Sequence, residues 1–257
     1  MPRVIRILVL AATCALAACA SLQDETKNWT PEQFYREAKE RMTNGDWPTA
    51  IKYFEQLEAR YPYGAYTEQA QLELAYVHHK DNEPALALAA ADRFIRQHPT
   101  HPHVDYAYYL KGLINFQSET SIAHWMLGIK DEVTDRDQKS VRESYNSFRE
   151  LIERFPNSRY AKDASERMAY LVHAQARYQV NVARFYFDRG AYVAAANRCK
   201  HALEDYPRTA ATEEALGIQA KAYKLLGLTT LADDTVRVLR TNYPQSKYLK
   251  EIEELKS

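Results

Sequence analysis

The chain has 257 residues, 46% of them hydrophobic and 26% charged, and its 34 basic and 34 acidic side chains balance to a formal net charge of zero. That balance excludes a general electrostatic attraction for nucleic acid. No Gly-rich phosphate loop, Cys-x-x-Cys pair or HExxH helix occurs, so no common catalytic or metal motif is present and neither an enzyme nor a bound cofactor is expected.

The first predicted element is a targeting segment. Arg3 and Arg6 form a short positive region, and Ile7 to Leu16 form an apolar run of signal-peptide length. The run is too short to anchor in a bilayer by itself. It ends in Leu16-Ala17-Ala18-Cys19, small residues directly before a cysteine. This resembles a bacterial lipobox. The resemblance implies that residues 1–18 are removed and that Cys19 is lipidated, carrying a diacylglycerol thioether and an amide-linked acyl chain. Two or more chains anchor stably where one does not. Ala20 stands where an aspartate would suggest retention in the inner membrane, so the expected location is the inner leaflet of the outer membrane, with the body in the periplasm. Removal of residues 1–18 leaves 32 basic against 34 acidic residues. Cys199 is then the sole cysteine besides Cys19, so no internal disulfide can form, and a small buried helical side chain is its expected role.

Residues 19–30 read as a tether. Thr30-Pro31-Glu32-Gln33 then combines a cap, a proline at the first helical position and a capping-box glutamine. From there the chain reads as an all-α solenoid. Pro62, Pro99, Pro156, Pro207 and Pro244 each close a helical pattern. Twelve residues before them stand Ala50, Ala87, Ser144, Ala195 and Ala232, all small; five before them stand Leu57, Phe94, Leu151, Ala202 and Leu239, all apolar. Small residues let two helices approach, apolar residues fill the contact, and proline prevents continuation. One helix pair cannot bury its apolar face alone, but a stack can. The pattern resembles about five tetratricopeptide-like helix pairs.

The prolines lie 37, 57, 51 and 37 residues apart, against about 34 for a standard unit. One excess is an insertion at residues 115–140, with Trp125, Met126, Leu127 and Ile129 among many charges. The other is residues 157–189, free of Gly and Pro. Ala164, Met168, Leu171, Tyr178, Val182 and Phe185 suggest an apolar stripe there, and one helix of some 30 residues would be about 45 Å long. The expected organisation is repeats one to three over 31–156 and repeats four and five over 157–257.

Three segments carry a more specific resemblance: "FYREAKERMTNGDWPTAIKYFEQLEARYPYGAYTEQAQLELAYVHHK", "DRDQKSVRESYNSFRELIERFPNSRYAKDA" and "VARFYFDRGAYVAAANRCKHALEDYPRTAATEEAL". With the lipobox, they resemble the BamD (ComL) family of outer-membrane protein assembly factors across essentially the whole mature chain. Asp188 replaces the glutamate of the family's "ERGAY"-like segment. The resemblance implies a scaffold subunit of the β-barrel assembly (BAM) machinery. It implies binding to the POTRA domains of BamA, association with other BAM subunits and recognition of unfolded barrel proteins through a C-terminal aromatic signal.

Two groups of residues are candidates for these contacts. Tyr61, Tyr63, Tyr66, Tyr76, Tyr106, Tyr108 and Tyr109 offer apolar faces with polar tips suited to extended peptides. Arg189, Arg198, Lys200 and Arg208 surround a later turn and helix. Arg198 matches the family's "NR" position, for which the resemblance implies contact with BamA. Its planar fork suits a carboxylate. Ordinary repeat packing and a solvated charged face are the alternatives for the two groups. His98, His101 and His103 form the one histidine cluster, but the prolines beside them place it in an inter-repeat turn, and no metal is expected. A different periplasmic scaffold, for example in cell-wall synthesis, is the competing function, separable by the tightest partner pulled from solubilised outer membranes.

Overall fold

The computed structural model describes residues 26–116 and 138–255. Cys19, the signal segment and most of the 115–140 insertion lie outside the described residues. Among the described residues the chain is all α, with eleven helices. They are α1 (Pro31–Thr43), α2 (Trp47–Arg60), α3 (Ala65–Lys80), α4 (Pro84–Gln97), α5 (Val104–Phe116), α6 (Gln138–Arg154), α7 (Ala161–Asp188), α8 (Tyr192–Asp205), α9 (Thr212–Leu225), α10 (Thr229–Asn242) and α11 (Lys247–Glu254).

The proline code fits the observed helices. α2, α4, α6, α8 and α10 each end two residues before one of the five prolines. In every case the residue before the proline donates its N–H to the carbonyl five positions before the proline: Tyr61 to Leu57, His98 to Phe94, Phe155 to Leu151, Tyr206 to Ala202 and Tyr243 to Leu239. The proline then has no N–H to extend the ladder, and its ring pushes the preceding residue out of the helical region. All ten offset positions are buried, from Ala50 and Leu57 through to Ala232 and Leu239. Ser144, the one polar member, is fully buried because its hydroxyl donates to the Gly112 carbonyl at 2.9 Å.

The four described turns between paired helices share one backbone shape. Gly45, Gly190 and Gly227 have φ of 76°, 74° and 71°, and Asn82 takes the same role at 61°. Each is followed by an N–H that reaches back to close the preceding helix: Asp46 to Arg41, Ala191 to Tyr186, Leu228 to Tyr223 and Glu83 to His78. This left-handed closure favours glycine or asparagine. The first helix begins as expected. Thr30 accepts from the Gln33 N–H at 3.2 Å, and Gln33 accepts from the Thr30 N–H at 2.9 Å.

The chain divides into two compact units, Met1–Ala90 and Ala91–Ser257, and the division falls within α4. In the first, α1, α2 and α3 pack mutually around Phe34, Phe54, Leu57, Leu74 and Val77. In the second, α5 packs on α6, α6 on α7, α7 on α8, and α9 contacts α7, α8, α10 and α11. The division expected between residues 156 and 157 lies inside this second unit.

The Gly- and Pro-free segment is a single helix, α7, but its buried stripe differs from the expected one. Ala164 and Leu171 are buried; Phe185 is half exposed, and Met168, Tyr178 and Val182 are not buried. The buried positions further along are Ala174, Gln175, Ala176, Val180 and Ala183. Ala176, Val180 and Ala183 meet Ala195, Cys199 and Ala202 of α8. Small residues at the contact let the helices approach closely, and the larger side chains flank it.

Cys199 is fully buried in that seam. Burial, with the nearby Glu214 carboxylate, pushes its thiol up to about 12. The reactive thiolate is therefore nearly absent at neutral pH. A soluble form beginning at Ala20 is expected to resist maleimide at pH 8 when native and to react completely in denaturant, as read by intact mass. Rapid labelling of the native protein would contradict the burial.

Candidate functional site

The close packing of α8 on α7 positions the arginine singled out by its place in the sequence. Arg198 is half-buried, and its Nη1 donates to Gln179 Oε1 at 3.2 Å. That bond uses one of five guanidinium donors. Among the described residues Arg198 makes no ion pair. The group is thus oriented by a neutral partner, with its charge uncompensated and most of its fork available.

Arg189 and Lys200 are engaged elsewhere. Arg189 follows α7; its guanidinium lies 3.5 Å from the Phe185 ring centroid and Nη1 donates to the Phe185 carbonyl at 3.2 Å. Gln179 and Arg189 are ten positions apart on the α7 path, about 15 Å along the axis. Lys200 is exposed and pairs with Glu204 at 3.7 Å. It lies two positions from Arg198 with buried Cys199 between them, so the two side chains leave α8 on different sides. Arg208 is exposed in a turn with φ of 64°. Arg198, Arg189 and Lys200 therefore do not converge on one point.

The tyrosines form separate groups. In the first unit Tyr63 is 91% exposed and Tyr66 is 38% exposed, with its ring 5.6 Å from Tyr35. Tyr61 follows α2 and spends its hydroxyl on the Trp29 carbonyl at 2.8 Å. Tyr76 packs edge-on to Trp47 at 6.4 Å, with Lys80 over its ring. Tyr66 and Tyr76 are ten positions apart on α3, about 15 Å. In the second unit Tyr109 stacks on Tyr160 at 4.7 Å and 15°, and Tyr106 lies 5.4 Å from the same ring. Tyr108 is buried against Phe155.

Tyr109 donates to Asp163 Oδ2 at 2.6 Å, and burial with that bond pushes its hydroxyl up to about 12. For Asp163, burial acts upward, but hydrogen bonds from Arg167 and Tyr109 and the Arg167 charge outweigh it and lower the carboxyl from its ordinary value. Arg167 Nε sits 2.5 Å from Asp163 Oδ2. Arg159 reaches the Tyr160 ring and hydroxyl from the exposed side. The result is an aromatic shelf with a fixed carboxylate beneath it.

The histidine cluster packs on the core. His98 and His101 each lie 5.1 Å from Phe94, and His101 Nδ1 accepts from the His103 N–H. Among the described residues no group of His, Cys, Asp and Glu is placed to hold a metal, and no helix is long and apolar enough to cross a membrane.

Sequence reasoning missed two features. Tyr160 completes the shelf from about 50 residues away, a pairing that spacing does not encode. The end of the tether is also fixed. Arg60 donates to the Thr26 carbonyl and, at 3.0 Å, to its hydroxyl, while Trp29 packs on Phe34 and Tyr53. The arginine at the end of α2 and the aromatic just before Thr30 were the available signals.

A family model described as outer membrane lipoprotein, YfiO, matches residues 27–239. The outer membrane protein assembly factor BamD of Neisseria meningitidis serogroup B is 43% identical, covering 95% of this chain and 93% of its own length. That of Vibrio cholerae is 39% identical, covering 91% and 96%. That of Xylella fastidiosa strain 9a5c is 41% identical, covering 85% and 74%. A solved type IV pilus biogenesis factor, PilW, aligns over 88% of this chain and 99% of its own at 15% identity and a TM-score of 0.36, so the assignment of the fold rests on the repeat geometry. With its proline-closed helix pairs and with relatives 39–43% identical over about three quarters or more of their own length, the chain belongs to the BamD family of outer membrane lipoproteins.

Proposed function

We propose that this protein is a lipid-anchored, non-catalytic scaffold of outer-membrane β-barrel assembly, held in the inner leaflet through Cys19 and facing the periplasm. It docks on BamA POTRA domains through the α7–α8 face and takes part in recognising unfolded barrel proteins. The observation that carries the docking reading is Arg198, half-buried, held by Gln179 and without an ion pair among the described residues. Such a group suits an incoming carboxylate, because its orientation is already fixed before binding. Arg189 and Lys200 are candidate rim contacts at separate points. Tyr63 and Tyr66 in the first unit, and Tyr106 and Tyr109 in the second, support recognition of extended peptides, since their rings are at least partly accessible. Tyr61 and Tyr76 are candidates whose rings also serve the packing around α1–α3.

Affinity purification from solubilised outer membranes tests the reading. BamA and other BAM subunits are expected as the dominant partners, and intact-mass analysis is expected to show an acylated Cys19. A cell-wall synthesis complex as the dominant partner, with no BamA, would overturn the function; an unmodified Cys19 would overturn the anchor.

A further inference from the structure

The second unit contains a pocket of about 250 Å³ between α6, α7 and the end of α8. Val141, Leu171 and Val172 give it apolar walls, and Tyr145 and Tyr206 flank them. Gln175 also lines it. This residue is only 7% exposed, and its carboxamide forms no hydrogen bond to any described residue. Among the described residues the fully buried unpaired side-chain atoms are Arg167 Nη1 and Thr212 Oγ1, so the Gln175 amide is reached through the pocket and is free to pair with whatever enters. Arg142, exposed on α6, brings a guanidinium that makes no ion pair among the described residues. Asp205 lines the pocket from α8, and its ion-pair contact is His201 at 3.8 Å.

We propose that this pocket binds an extended segment of a partner polypeptide that carries one large apolar side chain beside an acidic residue. The apolar side chain fills the space between Leu171, Val172 and Val141. The peptide unit pairs with the Gln175 carboxamide, which offers both a donor and an acceptor. The neighbouring carboxylate pairs with Arg142. Three features favour a peptide over a free small molecule. The volume suits a single large side chain and falls below the usual range for drug-sized ligands. The amide matches a peptide unit in both hydrogen-bonding senses. The charge stands at the exposed side, where a chain would continue. Gln175 lies one helical turn from Gln179, so the pocket adjoins Arg198 but does not depend on the role given to Arg198.

The test is methyl NMR titration of the full mature chain in detergent with blocked peptides. Ac-Ser-Phe-Glu-Ser-NH2 is expected to shift the Val141, Leu171 and Val172 methyls saturably. Ac-Ser-Ala-Glu-Ser-NH2 and Ac-Ser-Phe-Lys-Ser-NH2 are each expected to bind about fivefold more weakly or worse. Gln175→Leu is expected to weaken the Phe-Glu peptide by about fivefold or more, because the peptide unit then meets no partner. Arg142→Gln, a surface change that leaves the core intact, is expected to abolish the preference for Glu over Lys. No shifts up to about 10 mM, equal binding of the three peptides, or an unchanged Glu preference in Arg142→Gln would overturn the proposal. Wild-type affinity in folded Gln175→Leu would likewise overturn it, showing that water satisfies the amide.

Discussion

Arg198→Leu is expected to weaken binding of BamA POTRA domains by about 2–5 kcal/mol, the range for breaking a desolvated interfacial charge pair by removing one partner. On the proposed docking, the side chain is already aligned by Gln179 at 3.2 Å before it meets its partner, so little ordering entropy would remain to be lost on binding. Arg198→Lys keeps the charge and loses the planar fork, and a smaller loss is expected. Arg208, exposed in its turn, should contribute almost nothing when changed to alanine. Thermal unfolding of Arg198→Leu should match wild type, because the residue lies beside the alanine seam and not within it. Calorimetric titration of purified POTRA domains into each variant provides the comparison. A change of no more than about 0.5 kcal/mol for Arg198→Leu, the size typical of surface substitutions, would remove it from the interface.

Gly112→Ala is expected to destabilise the second unit by about 2 kcal/mol, although alanine is the better helix former by about 1 kcal/mol. A Cβ at Gly112 would stand 2.3 Å from Phe148 Cε1 and 2.4 Å from Cδ1. Phe148 is fully buried, with Tyr109 at 6.0 Å and Phe116 at 6.2 Å between ring centroids. The ring has nowhere to go, and the Ser144 bond to the Gly112 carbonyl ties α5 to α6 at the same point. The thermal midpoint should fall by about 4–8 °C. Adding Phe148→Leu should recover part of the loss, giving a coupling of about 1 kcal/mol or more in a double-mutant cycle. Gly217→Ala supplies the contrast. A Cβ there would stand 2.3 Å from Tyr248 Cγ, an equally close approach. Tyr248 belongs to the eight-residue terminal helix α11 and is only half-buried. That helix can shift, so faster proteolysis near the C-terminus is expected with little global loss. A Gly112→Ala protein as stable as wild type would contradict the α5–α6 contact.

The sequence by itself determined the repeat. Proline starts a helix readily but cannot continue one past its first turn, a capping box closes within four residues, and small and apolar positions at fixed offsets from the five helix-closing prolines mark the contact face. These are local or periodic properties of the chain, and Ala50, Phe94, Ser144, Ala202 and Leu239 all lie buried as the offsets require. The family resemblance was legible for a similar reason, since it was carried by whole segments. Only the tertiary structure decided which side chains meet. The α7 seam is built from Ala176, Val180 and Ala183, residues too small to stand out beside Tyr178 and Phe185, yet small enough to let α8 approach. Arg198 and Gln179 are 19 positions apart, and Tyr109 and Asp163 are 54 apart. Those pairings depend on how far one helix slides along another, and that register follows from the close-packed volume of the contact, which no spacing within either helix records.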